Sequence, residues 1–285
     1  MRYSRTLGGG TKEKPIPHWG KNAARYRTSE QTWKQPLIWD KEAKEQGKHA
    51  NVFCASSADV FEQHDTMPLD EWRIELHERL IEKTPNLHWL LLTKRPENIA
   101  KFYGARPIPQ NVWLGVSVEN QEMAEKRIPL LLENEASVCF LSCEPLLGPL
   151  DLSPWLSRIQ WVIVGGESGP AWRPMKQDWV IAIREQCKRF GVPFFFKQWG
   201  GGFKSKGGRL LEGREWNEMP APKTDGAPTI KGSLLAFKIG EDGKPKVLKT
   251  FQNETERLAL IGLADATLRH YRNETREQLL REDRL

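Results

Sequence analysis

The sequence predicts an α/β fold: a parallel (βα) partial barrel of about six strands, TIM-like, with basic extensions at both ends. Three observations carry this expectation. Short apolar runs recur at intervals of roughly 25 to 35 residues, the spacing of successive βα units. The runs are continuous rather than alternating, as strands covered on both faces are. Each run ends in glycine or polar residues, and in a parallel barrel or open sheet all such endings gather on one face, where ligands bind.

The chain has 285 residues, 39% of them hydrophobic, enough for one large domain or two small ones. No apolar run approaches the roughly 20 residues needed to cross a bilayer and no signal peptide opens the chain, so no membrane association is expected. The four cysteines, Cys54, Cys139, Cys143 and Cys187, form no CxxC pair. They suit a reducing compartment, and a cytoplasmic location is expected. Cys139 and Cys143 share one strand face and read as two buried thiols rather than a metal pair. The net charge of +6 is uneven. Residues 1–50 carry 11 Lys/Arg against 5 Asp/Glu, residues 51–196 carry 15 against 19, residues 197–249 carry 11 against 6 and residues 250–285 carry 6 against 7. A slightly acidic body is thus flanked by two basic segments, which makes nucleic acid a candidate partner and ordinary solvated surface the plainer alternative. Several of the 12 Trp stand beside Lys or Arg; stacking on bases is one use of them, a tryptophan-rich core the other.

Residues 1–50 are polar and basic with little periodicity, and Pro15, Pro17 and Pro36 argue against long helices there. This segment reads as the remnant of a first barrel unit. The barrel core is expected over residues 51–202. Its first strand is Asn51–Ala55, ending in Ser56-Ser57-Ala58-Asp59. A helix follows from Pro68 to about Lys83, with Leu69, Trp72, Leu76 and Leu80 at helical spacing and acids in its first turn. Leu87–Leu92 is the second strand, ending in Thr93-Lys94-Arg95-Pro96, and a short helix spans Glu97–Tyr103. Val112–Val116 is the third, ending in Ser117-Val118-Glu119, before a helix from Glu122 to about Glu133. Val138–Leu141 ends in Ser142-Cys143-Glu144-Pro145, and a turn of helix is expected near 154–157. Trp161–Val164 runs into Gly165-Gly166-Glu167-Ser168, and a helix from Gln177 to Phe190 ends at Gly191. Pro193–Phe196 is the sixth strand, ending in Lys197-Gln198-Trp199. Beyond it, residues 203–253 form a Gly/Lys/Pro-rich extension with a small hairpin at 210–216 turning on Glu212-Gly213 and a linker over 219–233. Residues 254–285 read as a helical tail.

Six polar endings place Lys94, Arg95, Glu119, Glu144, Glu167 and Lys197 around one rim. Carboxylates there can accept from hydroxyls or amines, and the cations can neutralise carboxylate or phosphate. Opposite charges on one rim also pair with each other, a purely structural use. Glu167, presented by its glycine turn, is the first candidate among these to face a ligand. The six histidines show no HxxxH or HxH spacing, so most read as surface or helix residues, and no metal-ligand set is expected.

At these strand ends the chain resembles a known family. Thr93-Lys94-Arg95-Pro96-Glu97, Asn111 to Glu119 (NVWLGVSVE), Ser142 to Gly148 (SCEPLLG), Val164 to Gly169 (VGGESG) and Phe195 to Gly200 (FFKQWG), with Gly213-Arg214-Glu215-Trp216, are similar to the phage gp thirty-seven/gp sixty-eight family of uncharacterised phage and bacterial proteins. The resemblance spans about residues 5–220. It implies a barrel related to the radical S-adenosylmethionine (SAM) enzymes, a [4Fe–4S] cluster and S-adenosylmethionine as cofactors, and a three-Cys-motif protein as a partner. The family's N-terminal cysteine cluster would precede Met1, and none of the four cysteines here replaces it. The chain therefore reads as an N-terminally truncated member or one that kept the barrel and lost the redox chemistry. On this reading Glu119, Glu144, Glu167 and Lys197 are the catalytic candidates. Ser56, Ser57, Ser117, Gly165 and Gly166 face the cofactor, and Lys94, Arg95, Ser168, Gln198 and Trp199 hold substrate. The Gly165-Gly166-Glu167 spelling matches a SAM-binding motif that elsewhere follows the second strand, whereas here it follows the fifth. The expected function is a radical-SAM-like protein acting on or near nucleic acid. Its rivals are a non-catalytic barrel binding nucleic acid or a protein partner through its basic segments, and a cluster-independent hydrolase using the rim carboxylates as acid and base.

Overall fold

The computed structural model describes residues 27–55, 58–104, 106–202 and 207–220, Arg25, and the strand backbones Gly9–Gly10, Pro15–Ile16, Leu235–Ile239 and Pro245–Thr250. Its centre is a six-stranded, all-parallel sheet in sequential order, curled into a half-barrel. The strands are β1 (Ala50–Cys54), β2 (Leu87–Thr93), β3 (Val112–Ser117), β4 (Val138–Cys143), β5 (Trp161–Gly165) and β6 (Phe194–Gln198). The helices are α1 (Glu30–Glu45), α2 (Leu69–Arg79), α3 (Glu97–Tyr103), α4 (Gln121–Leu132) and α5 (Gln177–Phe190), with 3₁₀ turns at Ile81–Lys83 and Leu156–Arg158. All six expected strands are present, and the expected helices after them lie within a few residues of their anticipated bounds.

α1 corrects the reading of the first fifty residues. It runs for 16 residues despite Pro36. Ser29 caps it, its side chain accepting from the Thr32 amide at 3.3 Å, and Glu30 sits in the first turn where the helix dipole favours an acid. Trp33, Pro36, Asp40 and Ala43 form its inward stripe, so Pro36 loses one backbone bond yet contributes buried ring surface. Asp40 ties the helix to the start of β2 by accepting from the Asn86 amide at 2.7 Å. The compact unit containing the barrel runs to Pro222, with a second unit over Lys223–Leu285. Residues 207–220 therefore stay with the barrel rather than with an extension. Within them the Phe196 amide donates to Trp216 at 2.9 Å and the Glu218 amide to Phe194 at 3.3 Å, which lays this segment antiparallel along β6. The hairpin at 210–216 forms: Leu211 and Arg214 bridge across Glu212 and Gly213, both at positive φ as a two-residue hairpin turn requires. The linker over 219–233 lies outside the described residues beyond residue 220, and so does the tail over 254–285; of the second unit only an antiparallel pair, Leu235–Ile239 with Pro245–Thr250, is described.

The two faces of the sheet bury different side chains. The outer face packs Leu91, Leu114, Val116, Leu141, Val162 and Val164 against Ile99 of α3, Ile128 and Leu131 of α4, and Val180 and Ile183 of α5. Each such fully buried side chain contributes roughly 1.5–3 kcal/mol. No helix residue joins the other cluster, Leu90, Trp113, Val138, Phe140, Trp161 and Ile163, which lines the concave face. There, rings run across the strands in sequence. His49 stacks on His88 at 4.7 Å, His88 on Trp113 at 4.6 Å, and Trp161 meets Trp113 and Phe195 edge-on at 6.3 and 5.9 Å. His88 is thus a buried strand residue. Trp89, Trp113 and Trp161 are core residues, which favours the core use of tryptophan at these positions. Among the described residues no helix is long and apolar enough to cross a membrane.

Candidate functional site

Side chains alternate along a strand, so positions above the aromatic floor on the concave face are Lys94, Ser117, Glu119, Ser142, Glu144, Gly165 and Lys197. Ser117 and Ser142 lie side by side in register and are both buried. The mouth of the half-barrel is therefore polar above an apolar floor, and its described charged groups form four ion-paired sets.

Across β2 and β3, the Lys94 ammonium donates to Glu119 Oε1, and Arg127 of α4 donates to Glu119 Oε2 at 2.7 Å and to the Ser117 carbonyl at 2.8 Å. Burial pushes the Glu119 carboxyl up. The hydrogen bond and charge of Lys94, with the charge of Arg127, outweigh this and hold it below the ordinary carboxylate value. Across β1 and β2, Asp59 accepts from the Thr93 hydroxyl at 2.7 Å, the Lys94 amide at 3.0 Å and Arg95 Nη1 at 3.0 Å. Arg95 also reaches Glu62 at 3.4 Å, and Arg25 forks onto the same carboxylate at 2.7 and 2.8 Å.

Across β4 and β6, Lys197 Nζ donates to both oxygens of Glu144, at 3.0 and 2.8 Å, and Gln198 Nε2 donates to Oε1 at 2.7 Å. This bond skips β5. It can do so because β5 ends in Gly165, where an added Cβ would stand 3.2 Å from both the Glu144 carboxyl carbon and Gln198 Nε2. Gly166 is tighter still: a Cβ there would lie 1.9 Å from the Trp199 carbonyl oxygen. The strand ends continue to pair past these glycines, with the Gly166 amide donating to Gln198 at 2.8 Å and the Gly201 amide to Glu167 at 2.8 Å. The two glycines expected to cradle a cofactor are thus occupied by the protein itself.

Glu167 is also engaged. Arg173 donates to it from its backbone amide at 2.8 Å and from its guanidinium twice, each at 2.9 Å. The Arg173 side-chain hydrogen bonds lead the causes that lower its carboxyl to about 2. The Ser168 hydroxyl is buried with no hydrogen-bond partner among the described residues. Trp199 packs edge-on against Phe196 at 4.8 Å and donates to the Leu210 carbonyl at 2.9 Å, as a packed residue does. Ser56 and Ser57 lie outside the described residues. Of the expected set the structure brings together Lys94 with Glu119, Lys197 with Glu144 and Gln198, and Arg95 with Asp59. It keeps Glu167 with Arg173, a group of its own at the lip. Sequence reasoning missed Glu62, Arg127 and Arg173 and left Asp59 as one letter of a strand ending. For Arg127 a signal existed: it lies eight residues after Glu119 on the following helix.

The implied iron–sulfur cluster does not fit the cysteines present. Cys139 and Cys143 are buried in β4 and Cys187 in α5, while Cys54 ends β1. Cluster ligation needs thiolates gathered at one site. Burial instead pushes the thiols of Cys54 and Cys187 up to about 12 and raises that of Cys143 as well. Away from the mouth, a groove of about 660 Å³ opens at the start of β6 beside Arg184, Lys188, Arg214 and Trp216. The strand C-terminal end remains the better candidate, because the concave-face charges converge there.

Fold and site together define a parallel half-barrel with a polar, ion-paired mouth at its strand C-termini. A family model described as "Protein of unknown function (DUF5131)" matches residues 2–220, and the chain belongs to that family. No curated protein and no solved structure matches the chain.

Proposed function

We propose that this chain is a barrel of radical-SAM-like architecture whose mouth binds a phosphate-bearing ligand of the nucleotide or nucleic-acid class. The single observation behind this is the state of Lys94 and Lys197. Each is fixed by a carboxylate from another element, yet each side chain keeps about half its surface open, 53% in both cases. An ammonium has three donors. Held in this way it is pre-oriented toward a ligand without the loss of rotamer freedom that a mobile lysine would suffer. The apolar floor beneath suits a base or sugar, and the basic segments 1–50 and 197–249 suit an extended backbone or a protein partner.

Because the four cysteines do not fit a cluster, no redox step is assigned to these residues, and the binding reading stands ahead of the catalytic one. Six parallel strands in sequential order support the radical-SAM-like ancestry; its chemistry would need thiolates other than these four. The deciding experiment is calorimetric titration with a mononucleotide and with short single-stranded DNA and RNA. Wild-type protein is expected to bind, and Lys94→Gln to bind at least about tenfold more weakly, the weight of one charge-assisted hydrogen bond. A log–log salt slope near zero for the nucleic acids would remove the nucleic-acid reading, because phosphate neutralisation releases counterions. Anaerobic incubation with iron and sulfide tests the redox reading in parallel, through the charge-transfer absorbance of a cluster.

A further inference from the structure

Resting on that reading, we infer that the mouth selects a singly charged oxyanion, a phosphodiester rather than a polyphosphate, and that Arg127, a residue with no access to the ligand, sets this selectivity through Glu119.

The two lysines are not equivalent. Glu144 turns both carboxylate oxygens onto Lys197, so that ammonium is matched by one full negative charge. Glu119 divides its oxygens, giving one to Lys94 and the other to Arg127. One carboxylate thus serves two cations, and the set of three carries a net charge of +1. Arg127 and Glu119 are nearly sealed, with side chains 13% and 11% exposed, whereas Lys94 is 53% exposed. The excess charge can therefore meet a ligand only at Lys94. Asp59 accepts from the Lys94 backbone amide and holds Arg95, which keeps the β2 end in place.

The remaining described rim groups cancel. Asp59 and Glu62 match Arg95 and Arg25, and Glu167 matches Arg173. Among the described residues, a ring of closed pairs with a single positive surplus accommodates one negative charge. Each further charge meets carboxylates already committed to their partners and lies against low-dielectric walls that strengthen the repulsion. A polyphosphate site is built differently, from backbone amides and several unshared cations.

The test titrates a dinucleoside monophosphate, a nucleoside monophosphate and a nucleoside triphosphate of the same base against four proteins: wild type, Arg127→Gln, Arg127→Lys and the double variant Glu144→Gln/Lys197→Gln. For wild type the expected order is the dinucleoside monophosphate at least as tight as the triphosphate. Arg127→Gln is expected to weaken the phosphodiester by about tenfold, since Glu119 then belongs to Lys94 alone, and Arg127→Lys to recover to within about threefold. The double variant removes a ligand donor but no net charge, so its loss should be the same for all three probes, whereas the loss in Arg127→Gln should grow with the charge of the probe. Thermal midpoints recorded for each variant separate a folding defect from a charge effect, and the rescue by lysine is one that a merely structural arginine would not show. Affinity that climbs with phosphate number, or a double variant whose loss grows with probe charge as that of Arg127→Gln does, overturns the inference while leaving the mouth a binding site. Wild-type protein that binds none of the probes instead sinks the proposed function on which the inference rests.

Discussion

Glu167 shows what a sequence can and cannot say about a side chain. Its exposure on a glycine turn after a buried strand was legible, because apolar continuity followed by Gly-Gly marks a strand end. Its partner was not, because Arg173 lies six residues on in a loop without periodicity, and only the fold brings its amide and guanidinium back to the carboxylate. The same holds for Lys94 and Glu119: their place on one rim could be inferred, but the third member, Arg127, enters from a helix. For Glu167 the expected titration follows directly. A carboxyl lowered to about 2 contributes stability that is present above its unfolded value, near 4.5, and is lost as pH falls through about 2. Carbon-detected NMR of the Glu167 carboxyl should show it ionised at pH 3.5, and Arg173→Gln should return its midpoint toward the ordinary range. A midpoint near 4.5 in the wild type would mean the fork onto Arg173 does not persist in solution.

At the level of elements, the strands were readable because parallel strands are apolar on both faces. α1 was not, because three prolines outweighed the Ser29 cap and the inward stripe of Trp33, Pro36, Asp40 and Ala43. Glycine inside a strand was equally ambiguous. Gly115 sits in the middle of β3, where a glycine normally weakens a strand. Its neighbour in register on β4 is Phe140, whose ring would lie 2.3 Å from a Cβ placed on Gly115. The missing side chain is what lets the ring lie flat in the narrow concave interior. Gly115→Ala should therefore cost about 1–3 kcal/mol in urea unfolding by overpacking. Phe140→Leu alone should also destabilise, by leaving a void, but in the double variant the two changes should offset each other rather than add. Simple additivity would indicate that Gly115 and Phe140 do not share one space.

Across the barrel unit, the upper layer of ion pairs at the mouth and the buried histidines elsewhere differ in their response to acid. The upper layer resists acid, since the Glu119 and Glu167 carboxyls are lowered by their cations. Two buried histidines, His77 of α2 outside the sheet and His88 on the concave floor, do not. His77 of α2 is buried, its ring 3.3 Å from the Tyr103 hydroxyl and packed edge-on to Tyr103 at 5.3 Å. Burial, followed by the charges of Arg106 and Arg73, lowers it from 6.5 to about 4. Burial and the neighbouring His49 likewise lower His88 from 6.5 to about 4. A histidine whose folded value lies below its unfolded one is kept neutral by the fold. Its contribution is complete above pH 6.5 and is lost as pH falls from there toward 4, because the unfolded chain takes up the proton first. For His77 the shift corresponds to a loss on the order of 3 kcal/mol between neutral pH and full protonation below about pH 4. Urea midpoints should accordingly fall steeply between pH 6.5 and 4, in a range where Glu119 and Glu167, whose carboxyls are lowered, remain ionised. His77→Phe, which keeps a ring in the cluster with Phe102 and Tyr103 but cannot take up a proton, should flatten this fall by the histidine's share while leaving His88's. An unchanged profile in His77→Phe would assign the acid sensitivity to His88 and the rim instead.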